Sequence, residues 1–203
     1  GYIIAGDGQS IDGDVTGLHG TPNSPDYWVV KVDSIGTIQW QKCLGGVSSD
    51  HAHSVQQTTD GGYIVAGDAY SISGDVTGNH GGIDYWIVRL DSAGNIVWQK
   101  CLGGTINDYA YSIQQTIDGD YIVTGTTFSN NGDVTGNHGW DYWVVKLNST
   151  GNLQWQKCLG GTSGDDAYSV RQTADGGFIV AGYARSNDGD VTGFHGTEDY
   201  WIV

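Results

Sequence analysis

The side chains able to do chemistry recur at fixed places. Gly-Asp-Val-Thr-Gly begins at Gly13, Gly74, Gly132 and Gly189, and a histidine follows each copy: His19, His80, His138 and His195. With the residue before it, Asp188-Gly-Asp190-Val-Thr192-Gly193 puts oxygen side chains at loop positions one, three and five and glycine at six. That is how an EF-hand-type calcium loop begins. The first copy matches with Asp12, Asp14, Thr16 and Gly17. The second and third carry Ser73 and Asn131 at position one, ahead of Asp75 and Thr77 and of Asp133 and Thr135, and no copy has the bidentate glutamate at position twelve. Ca²⁺ is therefore the one cofactor the sequence suggests. The competing reading is that Asp14, Asp75, Asp133 and Asp190 cap their own turns through Asx hydrogen bonds.

One histidine per repeat gives no close ligand pair, so zinc or copper would need convergence from different repeats, and a hydrogen bond from each His to its loop backbone is the simpler role. His51 and His53 interrupt the repeat and, as alternate strand residues, are expected on one face, where a metal would still lack a third ligand. Cys43, Cys101 and Cys158 occupy one repeat position, an odd and evenly spread set that reads as small buried hydrophobes and not as a disulfide framework. Trp140 and Phe194 depart from the repeat beside loop histidines. An aromatic face next to hydroxyl-binding groups is what a sugar needs, since its apolar face stacks while its polar edge takes directed hydrogen bonds. Trp140, Phe194, His138 and His195 are thus the candidate ligand-binding residues, against the alternative that both rings anchor loops on the body of the protein.

Hydrolysis of a glycoside would need paired carboxylates. Glu198 is the only glutamate, most aspartates recur in every copy, and the residues that break symmetry (Asp68, Asp120, Glu198, Arg89, Arg171, Arg185) share no motif. No Gly-x-Ser-x-Gly elbow, phosphate loop or His-Glu-x-x-His is present.

The elements that hold these residues follow from the period. Trp28, Trp86, Trp143 and Trp201, each in Asp-Tyr-Trp, are spaced by 57 to 58 residues, dividing the single 1–203 repeat domain into units of about 1–46, 47–104, 105–161 and 162–203. In the second unit, Ala52 to Thr58, Tyr63 to Gly67, Asp84 to Asp91 and Ile96 to Leu102 are β-type runs separated by Gly, Asp, Asn and Ser clusters, the pattern of a four-stranded meander. Four strands per unit at this period predict an all-β, propeller-like array of four-stranded antiparallel blades. Trp28, Trp86, Trp143 and Trp201 in the third strand, and Trp40, Trp98 and Trp155 in the fourth, are expected as blade-to-blade core. The loop between strands two and three and the one leading into the next unit should open on one rim, where the polar residues collect.

The turn Thr59-Asp60-Gly61-Gly62 ahead of Tyr63-Ile-Val-Ala-Gly67 resembles the NHL and delta-60 propeller repeats. The wider phrase, Asp-Gly-Gly-Tyr-Ile-Val-Ala-Gly, then Asp-Tyr-Trp-Val-Val-Lys-Leu, then Trp-Gln-Lys-Cys-Leu-Gly-Gly, is similar to bacterial secreted or surface repeat proteins that often end in a type IX sorting domain. The resemblance spans nearly the whole chain. It implies the fold and an extracellular or cell-surface setting, and it implies almost nothing about activity.

With 34 Gly, no Met and 8 Trp among 203 residues, the composition favours turns and strands over helix. A net charge of −15, with only eight Lys and Arg, excludes a phosphate-backbone partner, and no apolar run reaches the ~20 residues of a membrane helix. The first blade should lack its inner strand and the last its outer one, which points to a fragment of something longer or to self-association through open blade edges. The sequence thus argues for an extracellular, multivalent binding or structural module with glycan or a matrix component as partner. The alternatives are a carbohydrate hydrolase on the same scaffold and a filament subunit joined by strand-edge pairing.

Overall fold

Each unit folds as a meander because its β-branched and aromatic runs are punctuated by turns only glycine closes easily. In the computed structural model, which describes residues 1–203, sixteen glycines have φ between +63° and +126° and no other residue has positive φ. β1 (Tyr2–Gly8), β2 (Asp26–Val32) and β3 (Ile38–Leu44) form the first sheet. The second holds β4 (Asp50–Gln57), β5 (Tyr63–Ala69), β6 (Asp84–Leu90) and β7 (Ile96–Leu102), and the third β8 (Asp108–Gln115), β9 (Tyr121–Thr127), β10 (Asp141–Leu147) and β11 (Leu153–Leu159). β12 (Asp165–Gln172), β13 (Phe178–Ala184) and β14 (Asp199–Ile202) complete the fourth. Every pairing is antiparallel between consecutive strands.

The sheets are propeller-like blades. The two complete ones hold four strands and the outer two hold three, as the strand count requires, and Tyr2 of the first blade and Tyr200 of the last are both exposed. The inner strands β4, β8 and β12 run side by side and are cross-linked, Gln56 Oε1 accepting from the Gln115 amide and Gln114 Oε1 from the Gln172 amide.

Blade faces carry the core. Ile64, Ala66, Tyr85 and Ile87 of the second blade meet Tyr121, Val123, Trp143 and Val145 of the third in one buried cluster. Trp86 and Trp143 are fully buried, as the repeat predicts, whereas Trp28 and Trp201, in the two three-stranded blades, are half-buried. The outer tryptophans differ from expectation. Trp155 is 39% exposed, and Trp40 and Trp98 are only half-buried, because each lies at the rim of a blade junction. The Trp40 and Trp98 rings roof Gly94 and Gly151 in the hairpin of the following blade, where any Cβ would stand about 3 Å from the indole. They clip one blade to the next and pack, half-buried, against the edge of the core clusters.

Candidate functional site

The Gly-Asp-Val-Thr-Gly loop is explained residue by residue by the junction it closes. Its valine is an anchor, buried at Val76, Val134 and Val191. Its aspartate reaches the end of the preceding blade: the Asp75 amide donates to the Gly45 carbonyl at 2.8 Å while Asp75 Oδ2 accepts from the Gly45 amide at 3.3 Å. Asp133 on Gly103 and Asp190 on Gly160 repeat both bonds. Thr16, Thr77 and Thr135 accept from Gln41, Gln99 and Gln156, whose Oε1 atoms take the indole N–H of Trp28, Trp86 and Trp143. At position one, Asp188 accepts from the Thr162 amide and hydroxyl at 2.8 Å each, which lowers its carboxyl from the ordinary range, and Asn131 accepts from the Thr105 amide.

The residues aligned as calcium ligands therefore sit in four separate loops. Asp75, Asp133, Asp188 and Asp190 bond across blade junctions, while Thr16, Thr77 and Thr135 bond a glutamine of their own blade. Asp12 is bonded by the Ser10 hydroxyl at 2.5 Å, Asp14 stays exposed, and Thr192 is exposed on the last loop. Nowhere does a group of three or more His, Cys, Asp or Glu gather as a metal site would require.

The loop histidines bond a carboxylate and not the loop backbone. His19, His80 and His138 each place Nδ1 at 2.8–3.0 Å from Oδ2 of Asp26, Asp84 or Asp141, the first residue of Asp-Tyr-Trp, and their own amides donate to the same oxygen. Their far nitrogens face the next blade, His19 Nε2 lying 3.5 Å from Asp75 and His80 Nε2 3.8 Å from Asp133. His195, in the last of the four loops, is 85% exposed at its side chain.

Behind these histidines lies a feature that sequence reasoning missed. Asp26, Asp84 and Asp141 are fully buried, their Oδ1 atoms have no hydrogen-bond partner, and each lies against the same glycine as an inner-strand aspartate: Asp50, Asp108 or Asp165. The signal was available, since both aspartates recur in every complete junction, but recurrence alone does not reveal that two carboxylates meet. Burial pushes Asp84 up to about 6, with Asp108 adding to the effect, and it also raises Asp50, Asp108 and Asp141. The folded protein then holds protons that the unfolded chain releases near pH 4. Stability is expected to fall as pH rises from about 4 through about 6. Asp84→Asn, which cannot ionise, should flatten part of that fall, as read from urea midpoints at pH 4.5 and pH 7.

His51 and His53 are not a pair. A bulge between Ala52 and Ser54 turns them apart, so His51 Nδ1 meets Asp7 of the first blade at 2.8 Å and His53 Nε2 meets Asp68 at 2.7 Å. Strict alternation fails at the bulge. The equivalent bulges at Tyr111 and Tyr168 line up with His53, with ring separations of 5.4 Å and 5.1 Å, and Tyr183 continues the row at 5.8 Å from Tyr168.

Trp140 is held at the rim between the third and fourth blades. Its Nε1 donates to Asp166 Oδ1 at 3.0 Å, its ring lies 4.5 Å from Phe128 at 34°, and it covers Gly164, where a Cβ would be 3.1 Å from the indole. It remains half-exposed. Phe194, half-buried in the next loop, makes none of the ring contacts that hold Trp140. His138 stands two residues before Trp140 and lines an open cleft of about 370 Å³ with Thr135, Gln156, Lys157 and Asp190. The same cleft recurs one junction earlier with His80, Thr77, Gln99, Lys100 and Asp133. Cys43, Cys101 and Cys158 are free and buried, with burial pushing the Cys43 thiol to about 11 and Cys158 to about 12.

No family model matches the chain. It is 26% identical over 173 residues to the regulatory protein FlaEY of Caulobacter vibrioides, a match covering 78% of this chain and 18% of that protein. Among solved structures it is similar to a protein of unknown function from Bacteroides caccae, with 15% identity and a TM-score of 0.49, over 77% of this chain and 47% of the other. The chain therefore spans less than half the length of either relative.

Proposed function

We propose that this chain is an extracellular binding module that engages glycans at several points along one rim. Trp140 carries the reading. It is one of the two loop aromatics that depart from the repeat, and Asp166, Phe128 and Gly164 fix its ring in place while part of it stays open to solvent. A ring so held loses little freedom when a sugar stacks on it. The neighbouring clefts supply hydroxyl, imidazole, amide, ammonium and carboxylate groups for the polar edges of a sugar, and their recurrence at successive junctions is the basis of multivalency.

Retention on immobilised polysaccharides tests this. Trp140→Ala is expected to weaken retention at least about tenfold, the equivalent of ~1.4 kcal/mol. Lys157→Ala, at an exposed position of the cleft, should weaken it less and leave the unfolding midpoint unchanged. Equal retention of both variants and the unaltered chain, or no retention on any polysaccharide, overturns the reading.

A further inference from the structure

The loop histidines turn one ring nitrogen into their own blade and the other toward the next. Between the two complete blades, Asp84 is fully buried and its Oδ2 lies 2.8 Å from His80 Nδ1. An ionised carboxylate only accepts, so on an uncharged ring the hydrogen sits on Nδ1 and Nε2 keeps a bare lone pair. That nitrogen lines the cleft, 3.8 Å from Asp133 Oδ2 on the loop of the following blade. The arrangement stands one junction earlier too. Asp26 Oδ2 lies 2.9 Å from His19 Nδ1, and His19 Nε2 lies 3.5 Å from Asp75 Oδ2. At the third junction Asp141 Oδ2 is 3.0 Å from His138 Nδ1, and His138 and Asp190 line one cleft.

An imidazole lone pair and a carboxylate oxygen are both acceptors, so neither satisfies the other. Their separations also exceed the roughly 2.7–3.2 Å of a hydrogen bond. A ligand that brings two neighbouring donors fits such a pair. Gln99 and Thr77, in the same cleft, are already engaged with each other and with Trp86, which leaves His80 and Asp133 as its open acceptors. The remaining side chains fix the charge of the occupant. Lys100 and Asp133 set one positive and one negative group in the His80 cleft, and Lys157 and Asp190 do the same beside His138. An ammonium would meet the lysine and an anion the aspartate, and like charges set together are penalised. A neutral ligand meets neither penalty.

We propose that each His–Asp pair reads two adjacent hydroxyls of one neutral sugar residue, one donating to the histidine Nε2 and the other to the aspartate Oδ2. This rests on the glycan reading and narrows it to uncharged polysaccharides whose residues keep a free vicinal diol. Trp140 gives a stacking face at one place on the rim. The acceptor pair is present at successive junctions, and it sets which sugar each of them takes.

Retention of the 203-residue chain at pH 8 on immobilised dextran, amylose, linear mannan and curdlan tests this, together with nitrogen NMR of the histidine rings during titration with the soluble form of the retained polymer. Residues of the first three polymers keep adjacent free hydroxyls, whereas the linkage of curdlan leaves no two free hydroxyls adjacent. At least one of the three is expected to retain the chain about tenfold or more above curdlan, the loss of two hydrogen bonds. The Nε2 resonances of His19, His80 and His138 should move on titration, while those of His51 and His53 stay in place. Equal retention on curdlan, retention on charged polysaccharides alone, or retention that leaves the His80 nitrogen unmoved overturns this proposal and leaves the glycan reading standing. No retention on any polysaccharide overturns both.

Discussion

Gly125→Ala is expected to destabilise the protein by about 3 kcal/mol or more, while Gly6→Ala leaves it unchanged or slightly more stable. The two glycines occupy the same position of the repeat, each at the fifth residue of a Tyr-Ile run, and neither has positive φ. The difference is entirely in what stands opposite. A methyl group on Gly125 would fall on the carbonyl oxygen of Tyr109, 2.9 Å from the Ala110 Cα and 2.8 Å from the Tyr85 hydroxyl. Two of these obstacles are backbone of the inner strand, so no rotamer change relieves them, and the third belongs to the neighbouring blade. Overpacking of this kind costs ~1–3 kcal/mol where side chains can yield, and more where they cannot. Against a total of about 5–15 kcal/mol the loss is large. Gly6 has no inner strand beside it and no tyrosine above it. Alanine there only restricts the unfolded chain, a gain of roughly 0.4–1 kcal/mol. Urea midpoints of the two variants decide the matter, and equal destabilisation by both would mean that the glycine serves the strand and not the junction.

Trp143→Ala should cost about 3–5 kcal/mol and lower the melting temperature by roughly 6–20 °C. Trp143 is fully buried, packs 4.5 Å from Tyr85, and donates its indole N–H to Gln156 at 2.8 Å. Removing it empties the centre of the junction between the second and third blades and strands a glutamine that also holds the Thr135 loop. Trp155→Ala, in the same blade, should cost less than about 1.5 kcal/mol, since its ring is 39% exposed and leaves no enclosed cavity. Thermal melts of the two variants measure the contrast. Comparable losses would show that the outer tryptophans are as central as the inner ones, contrary to their burial.

Much of the site is the scaffold itself. The loop aspartate repeats because it closes a blade junction, while the His–Asp pair and the Trp–Gln–Thr relay repeat because each ties that loop to its own blade, and a chain with several blades needs several copies. Repetition in the sequence therefore records structural need. Trp140 and His53 depart from it, and the glycan-binding proposal rests on the first of them.

The sequence by itself determined the strands, their order and the four-blade count. Those depend on local quantities: β-type runs of seven or eight residues, glycines where positive φ is needed, and a 57–58-residue period. It also marked the three buried cysteines and the inner tryptophans, whose recurrence follows from identical junctions. Only the tertiary structure decided the rest, because the rest depends on what one blade sets against another. The bulge that parts His51 from His53 is a register shift in the pairing of β4 with β5, which strict alternation along the chain does not reveal. The pairing of Asp26 with Asp50 joins residues of different blades. The exposure of Trp155 reflects its place at an outer edge. Tyr200 and Tyr142 share the same three-residue signature, yet one is 97% exposed and the other fully buried, since burial belongs to the junction and the last blade has a face with no neighbour from this chain.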